Sequence, residues 1–357
     1  MRVAIAHEWL VRYAGSERCV AEMLRVFPDA RLLTTVVRPE ALPPEFARAE
    51  ASFLQHVPGA VSSHEWLLPL MPAAWRTRTV RDVDVVISSS HACANAVRVP
   101  PGVPHVSYCH TPMRYAWGFA SEAGRFPRGL RPAARVSMAW FRRWDRKVAG
   151  HITRFLANSS AVAERIERFY GRSARVVHPP VRTDFFTSGG ERGGSFLYVG
   201  RLVAYKRADL AVETFRGLPY ELVVVGSGPD GEALRRAAPP NVRFVGDVSD
   251  DELRRLYREA VAVVAPGVED FGIAMAEAQA CGTPVIAPNA GGARDIVVDG
   301  VTGWLLDDAS SGGLREAVLL AAGRRLIPSD IERHAGKFSA ERFREQIRDE
   351  IAEVVAG

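Results

Sequence analysis

The sequence predicts an α/β protein made of two doubly wound, parallel-sheet domains in series, and three observations predict it. Apolar, β-branched runs of strand length alternate with helical patterns along the whole chain. After "HPPVRTDFF" the same rhythm begins afresh, as a second domain requires. The 357 residues suffice for two cores, each burying its own apolar surface.

In chain order, the first half offers strands at "RVAIA", "ARLLTTVV", "VDVVISSS", "HVSYCH", "RFLANSS" and "ARVVHPPV", with helices between them. The first helix starts near Gly15, where Cys19, Val20, Met23, Leu24 and Phe27 recur at helical spacing as one apolar stripe. Pro179, Pro180 and the turn-rich "TSGGERGG" place the boundary near 180 to 194. Strands follow at "SFLYVG", "ELVVVG", "NVRFVG", "AVAVVAPG" and "TPVIAPN". In "VSDDELRRLYREA", Ser249 and Glu252 have the spacing of a capping box, which turns Leu253, Leu256 and Tyr257 inward. The domains expected are 1–180, 181–336, and a closing helix over 337–357 with the option of packing back on the first domain.

Composition narrows the function classes. Cys19, Cys93, Cys109 and Cys281 form no C-x-x-C pair, so neither a zinc site nor a disulfide framework is expected. No stretch of about 18 apolar residues occurs, and "MRVAIAHEWL" lacks a cleavage site. The expectation is a cytoplasmic protein, with peripheral attachment to the inner membrane face left open. The net charge of +5 conceals an asymmetry: residues 1–180 carry 25 Lys and Arg against 14 Asp and Glu, and residues 181–357 carry 21 against 27. The basic half suits nucleic acid, anionic lipid or a phosphorylated substrate, and composition does not separate these.

Ligands of open parallel sheets bind beyond the carboxyl ends of the strands, so two such domains predict a cleft between them with functional residues just after strands. "GRLVAYKRADL" puts Arg201 and Lys206 after the first strand of the second domain, where a guanidinium fork and an ammonium suit a diphosphate without a metal ion. In "GVEDFGIAMAEAQACGTPVIAPNAGGARDIV", Glu269 and Glu277 flank Phe271, Gly272 and Ile273. A helix starting at Gly272 would aim backbone N–H groups at an anion, with Glu277 inside it to accept ribose hydroxyls and Glu269 in the loop for sugar hydroxyls. The alternative is a solvated surface glutamate, for which Ala274, Ala276, Ala278 and Ala280 are a poor setting. His110 ends the strand in "HVSYCHTPMRYAW", and Gly15 and Ser16 open a helix whose N–H groups suit a phosphate.

Two features carry competing readings. "VVVGSGPDGEAL" spells G-x-G-x-x-G at Gly226, Gly228 and Gly231, with Asp247 some 20 residues on, as a dinucleotide fingerprint would. It follows the second strand of its domain, behind a first loop already holding Arg201 and Lys206, which favours a structural strand-to-helix turn. The segment from Arg125 to Lys147 has eight basic residues and one acid, interleaved with Trp140, Phe141 and Trp144. Those aromatics and Val148 share a helical face, so core packing is the simplest account, then docking to an anionic membrane, then nucleic acid.

The motifs "GRLVAYKRADLAVETF", "VEDFGIAMAEAQACGTPVIAPNAGGARDIVVDGVTGWLL" and "YCHTPMRYAW" resemble retaining glycosyltransferases of family 4, in particular a subgroup associated with mannosyl transfer to O-antigen-type lipid-linked saccharides. The resemblance runs nearly end to end and implies the GT-B fold of two facing Rossmann-like domains. It implies that Arg201 and Lys206 hold the donor diphosphate, Glu277 the ribose, and Glu269 with the 271–273 backbone the transferred sugar. His110 would touch that sugar near the reacting centre. Where relatives carry two adjacent glycines this chain has Ala14 and Gly15, so the loop contact carries over to Gly15. The implied donor is GDP-mannose or a UDP-sugar, with no tightly bound cofactor and no metal required. The implied acceptor is a glycan, lipid-linked or small-molecule hydroxyl, with an anionic membrane surface as a further partner and no nucleic acid. A sugar-nucleotide epimerase of the same fold and an NAD-dependent oxidoreductase are the alternatives.

Overall fold

The structure is a computed structural model and describes residues 1–118 and 131–357, the side chains of 131–135 aside. The chain divides into two compact units, Met1–Pro180 with Phe343–Gly357, and Val181–Arg342.

In the first unit the strands are β1 (Val3–His7), β2 (Arg31–Thr34), β3 (Val85–Ser90), β4 (His105–Cys109), β5 (Arg154–Ala157) and β6 (Ala174–Val176), and the helices named below are α1 (Gly15–Val26), α2 (Met71–Arg76), α3 (Arg114–Trp117), α4 (Arg131–Ala149) and α5 (Ser160–Tyr170). The strands form one sheet in the order β2-β1-β3-β4-β5-β6, every pair parallel. All residues of β1, β3 and β4 are buried, as expected of strands covered on both faces. The stripe Cys19, Val20, Met23, Leu24 and Phe27 of α1 packs on Val3, Ile5, Val85 and Ile87.

The second unit holds β7 (Phe196–Val199), α6 (Ala208–Thr214), β8 (Leu222–Val225), α7 (Gly231–Ala237), β9 (Val242–Gly246), α8 (Asp250–Glu259), β10 (Val263–Val264), α9 (Ile273–Ala280), β11 (Val285–Pro288), α10 (Ala293–Ile296), β12 (Gly303–Leu306), α11 (Ser311–Gly323) and α12 (Pro328–Ala335). Its sheet runs β12-β11-β10-β7-β8-β9, again parallel throughout. The Ser249 hydroxyl caps α8 by accepting the Glu252 N–H at 3.3 Å, and Leu256 and Tyr257 are buried. β12 has no counterpart among the strands read from sequence. Its "GWLL" is short and opens on Gly303, where a Cβ would sit 2.1 Å from the Val285 carbonyl oxygen, so a glycine lets this edge strand close on β11. Conversely, "AVAVVAPG" yields only the two-residue β10.

The last helix, α13 (Ala340–Ala356), belongs mostly to the first unit. Phe343, Ile347 and Ile351, one turn apart, enter the core that α1 covers. Arg154 reaches Glu350 at 2.9 Å and Glu353 at 3.0 Å, and Arg175 reaches the same two carboxylates.

In each sheet the direction of winding reverses once, between β1 and β3 in the first and between β7 and β10 in the second. Loops leaving the carboxyl ends of such a strand pair diverge and open a crevice, which is where ligands of these sheets bind.

Candidate functional site

At the β7/β10 reversal the Lys206 ammonium meets the Glu269 carboxylate at 2.5 Å, both side chains about one-fifth exposed. Lys206 comes from the loop after β7 and Glu269 from the loop after β10. Arg201 is exposed on the same loop as Lys206, and its side chain forms no ion pair among the described residues. Arg207, next in the chain, has φ 54°, a left-handed conformation rare for a side-chain-bearing residue, and it turns the loop into α6 directly after Lys206.

Glycines set how closely these loops stack. A Cβ on Gly226 would lie 2.1 Å from the Gly200 carbonyl oxygen, and one on Gly228 would lie 2.3 Å from that of Leu202. The G-x-G-x-x-G segment is thus in backbone contact with the Arg201–Lys206 loop, tied by Leu202 N–H to Ser227 at 2.9 Å and Asp230 N–H to Leu202 at 3.1 Å. It works as a packed turn. Asp247 accepts the Ser227 hydroxyl at 2.7 Å. Gly291 and Gly292, which sequence reasoning left unassigned, press on Glu269 and Phe271 in the same way, and Gly292 N–H donates to the Glu269 carbonyl at 2.9 Å.

α9 starts from Gly272 at φ 103°. The N–H groups of Ile273 and Ala274 have, by position, no acceptor within the helix and lie at its positive end. The Phe271 ring is in the core, edge-on to Phe338, so only its backbone faces the loop chemistry. Glu277 is 5% exposed, and the Tyr257 hydroxyl donates to it at 3.4 Å, so the surface-glutamate alternative does not hold. Ala276, Ala278 and Ala280 around it are buried.

In the first unit, the β1/β3 reversal is filled by polar side chains. Glu8 is fully buried, and its carboxylate accepts five hydrogen bonds of 2.8 to 3.2 Å, from the Ser90 hydroxyl and the N–H groups of His91, Ala92, Cys93 and Ala94. His110 lies just after β4. Its Nε2 is 2.8 Å from the Ser89 hydroxyl, its N–H donates to the Ser90 carbonyl at 2.9 Å, and Asn158 Nδ2 donates to its carbonyl at 2.9 Å. His7 Nδ1 lies 3.1 Å from the same Ser89 hydroxyl, and His7 Nε2 lies 3.5 Å from Glu17. Glu17 is the hub of the Gly15 turn: it accepts the Ala14 N–H and the Ser16 hydroxyl, each at 3.1 Å. The Ala14 N–H is therefore engaged by a side chain. Burial pushes the Glu17 carboxyl up, but the hydrogen bond and charge of His7 and backbone hydrogen bonding outweigh it and hold it at about 2.

Sequence reasoning missed Glu8, Glu17, His7, Ser89 and Asn158. A signal existed: each is a polar residue at or just beyond the end of an apolar strand, or at a helix start.

α4 carries the basic, aromatic segment. Residues 125–130 of that segment lie outside the described residues. Phe141 is buried and Trp144 partly so, but Trp140 is 57% exposed beside Arg143, Arg146 and Lys147, and Val136 is exposed too. The core account thus fails for Trp140. Residues three and four apart share a helix face and adjacent ones diverge, so Phe141 turns to the core and leaves Trp140 outside. Among the described residues no helix is long and apolar enough to cross a membrane, and no cluster of His, Cys, Asp and Glu has the makings of a metal site. All four cysteines are buried, and none is in a disulfide.

Comparison with known proteins matches residues 13–185 to the family model Glycosyltransferase Family 4 and residues 184–326 to Glycosyl transferases group 1. Over 225 residues the chain is 32% identical to a D-inositol 3-phosphate glycosyltransferase of Mycobacterium sp. (strain JLS), covering 55% of this chain and 51% of that protein. The chain thus spans about half the length of the curated relatives it matches. Among solved structures, sucrose-phosphate synthase from Thermosynechococcus elongatus superposes with a TM-score of 0.74 at 18% identity, over 100% of this chain and 99% of that one. Anabaena Alr3699/HepE, in complex with UDP-glucose, superposes with a TM-score of 0.73 at 17% identity, over 99% and 100%. The two family matches together run from residue 13 to residue 326, so the chain carries a Glycosyltransferase Family 4 domain followed by a Glycosyl transferases group 1 domain, in the GT-B fold.

Proposed function

We propose that this protein moves a sugar from a nucleoside-diphosphate donor to an acceptor hydroxyl with retention of anomeric configuration and without a metal ion. The observation that carries the reading is the Lys206–Glu269 ion pair at the β7/β10 reversal, beside the start of α9. A cation and a carboxylate that neutralise each other can be parted by a ligand carrying both a diphosphate and hydroxyls. The diphosphate takes Lys206 and Arg201, while Glu269 turns to accept a sugar hydroxyl. Ile273 and Gly272 offer backbone N–H groups at the helix start, with the Phe271 backbone alongside, and buried Glu277 accepts the ribose hydroxyls. Gly15, opening α1, offers a further backbone donor to phosphate.

In the step itself the bond from the anomeric carbon to the diphosphate oxygen breaks, and the leaving group keeps the electron pair. The acceptor oxygen bonds to the same face of the sugar, and its proton passes to a leaving phosphate oxygen. The role of His110 is contact with the transferred sugar. GDP-mannose is the first donor to test by resemblance, and a UDP-sugar is the second, since UDP-glucose is bound by Alr3699/HepE. Acceptors to test are lipid-linked glycans and D-inositol 3-phosphate, the latter from the name of the mycobacterial relative.

Thermal-shift titration with GDP, UDP, ADP and NAD checks the class. Stabilisation by NAD alone rejects transfer in favour of an oxidoreductase, and an isomeric nucleotide sugar formed without acceptor points to an epimerase. Glu269→Gln sharpens the ion-pair argument: it releases Lys206, so the bare nucleoside diphosphate binds more tightly while turnover falls. Weaker binding of the diphosphate would refute the exchange.

A second reading concerns location. Exposed Trp140 and Val136 beside Arg143, Arg146 and Lys147 support docking of α4 on an anionic membrane surface. Co-sedimentation with anionic but not neutral vesicles is expected, and Trp140→Ala should abolish it.

A further inference from the structure

The polar side chains at the β1/β3 reversal form one hydrogen-bonded row, Glu17–His7–Ser89–His110, spanning α1, β1, β3 and the residue after β4. The contacts are 3.5 Å from Glu17 to His7 Nε2, 3.1 Å from His7 Nδ1 to the Ser89 hydroxyl, and 2.8 Å from that hydroxyl to His110 Nε2. His7 and Ser89 are fully buried and Glu17 nearly so, so protein groups rather than bulk water settle where the protons sit.

Donor and acceptor counting fixes one arrangement with His7 neutral and opens a second with His7 protonated. Glu17 is an anion that accepts from Ala14 N–H and the Ser16 hydroxyl, so toward His7 it only accepts, and His7 Nε2 carries a proton in both arrangements. With His7 neutral, Nδ1 is an acceptor. The Ser89 carbonyl 3.2 Å away has no proton to give, so the Ser89 hydroxyl donates to Nδ1. That hydroxyl has one proton, so toward His110 it can only accept, and His110 Nε2 must carry N–H. With His7 protonated, Nδ1–H donates to Ser89, whose hydroxyl is released to donate to His110 Nε2. Neutral His110 then carries its proton on Nδ1.

We propose that Ser89 makes the tautomer of His110 follow the protonation of His7, so that Glu17, His7 and Ser89 are positioning residues for the His110 ring. Its importance for transfer rests on the reading above that His110 touches the sugar; the proton arrangement itself does not. The titratable groups facing His7 are Glu17 from α1, His91 from the loop after β3, with ring centroids 6.2 Å apart, and His110 beyond Ser89. Glu8, next in the chain, has its carboxylate occupied by the 90–94 loop. The protons balance when one enters from solvent at His110 Nδ1, the His110 Nε2 proton passes to the Ser89 oxygen, and the former hydroxyl proton passes to His7 Nδ1; the reverse shift returns one proton to solvent.

The test uses the full chain with nitrogen-15 in its imidazoles, and multiple-bond proton–nitrogen spectra recorded from about pH 8 to pH 5, the range over which imidazoles titrate. His110 is assigned by its loss in His110→Gln, and His7 by its loss in His7→Gln. In the wild type, His110 Nε2 should change from an N–H to a bare nitrogen in step with His7 gaining its proton. In Ser89→Ala the two rings should behave independently, and Ser89→Thr should restore the coupling. If Ser89→Ala does not fold, Ser89→Gly serves, and the two rings should again behave independently. A His110 tautomer that stays fixed while His7 protonates, or that still follows it in Ser89→Ala, overturns the proposal. Turnover reads the other half. Ser89→Ala should lower it roughly 10- to 100-fold, the scale of a misplaced reacting group, with nucleotide affinity unchanged. Coupled spectra with unaltered turnover would sink the role of His110 in transfer and leave the relay standing.

Discussion

The two sheets reverse their winding at equivalent places but furnish the resulting crevices differently. At the β1/β3 reversal the polar groups satisfy one another: Glu8 holds five donors and no charged partner among the described residues, and Ser89 bridges two imidazoles. At the β7/β10 reversal the loops are framed by glycines in backbone contact, and Lys206 and Glu269 meet in an ion pair. A buried row of hydrogen bonds holds a ring in one pose, because breaking any member strands the others. An ion pair one-fifth exposed is worth little by itself, so a charged ligand could replace either partner at little net cost. Under the proposed function, that difference would let the first unit position a ring and the second exchange its ion pair for a ligand.

The largest effect that would break this comparison is at Glu8. Glu8→Ala leaves four loop N–H groups without their acceptor, and at 1–3 kcal/mol for each unsatisfied group partly relieved by water, a loss of about 4 kcal/mol is expected in denaturant unfolding. A loss below about 1 kcal/mol would mean that the first crevice does not depend on its internal bonds. At the second crevice, Lys206→Met should lower turnover by about 100- to 1,000-fold while leaving stability nearly unchanged, as for loss of a group that stabilises developing charge. Loss of stability with turnover kept would invert the contrast between the two crevices.

A smaller effect distinguishes position from charge within the first unit. Asp145 on α4 is buried, accepts the Trp117 indole N–H at 2.7 Å and the Tyr170 hydroxyl at 2.6 Å, and is pushed up to about 6 by burial, which these two bonds only partly offset. Its pKa is raised on folding, so its contribution is most favourable below the unfolded value of about 3.8 and is lost as pH rises through about 6. Asp145→Asn keeps an acceptor for both donors and removes the titration. It should flatten the change of stability between about pH 4 and pH 6 by about 2 kcal/mol relative to wild type, measured by thermal unfolding across that window. An unaltered slope would show that Asp145 does not titrate there. The smallest effect is at Glu277: Glu277→Ala should weaken nucleotide binding by about 1 to 3 kcal/mol, the range for a hydrogen bond to a charged group, by isothermal titration. Unchanged affinity would remove Glu277 from the second crevice.

Much of this was legible in the residues. Buried parallel strands read as continuous β-branched runs, so eleven of the twelve described strands, and their order along the chain, were visible at runs such as "RVAIA" or "ELVVVG" with little help from context. Lys206, Glu269 and Glu277 stood out because cations and carboxylates just after apolar runs have few structural uses. β12 escaped because an edge strand of four residues opening on glycine has no periodicity to detect. The role of Glu8 escaped because its five partners lie 82 to 86 residues away, joined to it only when β3 pairs with β1. Trp140 was misjudged for a related reason. Spacing tells which residues share a helix face, but the neighbour that face meets is a tertiary fact.

By itself, then, the order of residues determined the two-sheet plan, the start of α1 and α9, and the chemistry available after each strand, since hydrophobic periodicity and capping act over a few residues. Only the tertiary structure decided that Lys206 closes on Glu269, that the glycines of "VGSGPDG" serve as contact points between loops, and that Ser89 stands between His7 and His110. Those outcomes depend on strand register between segments 19 to 82 residues apart, which no local preference encodes.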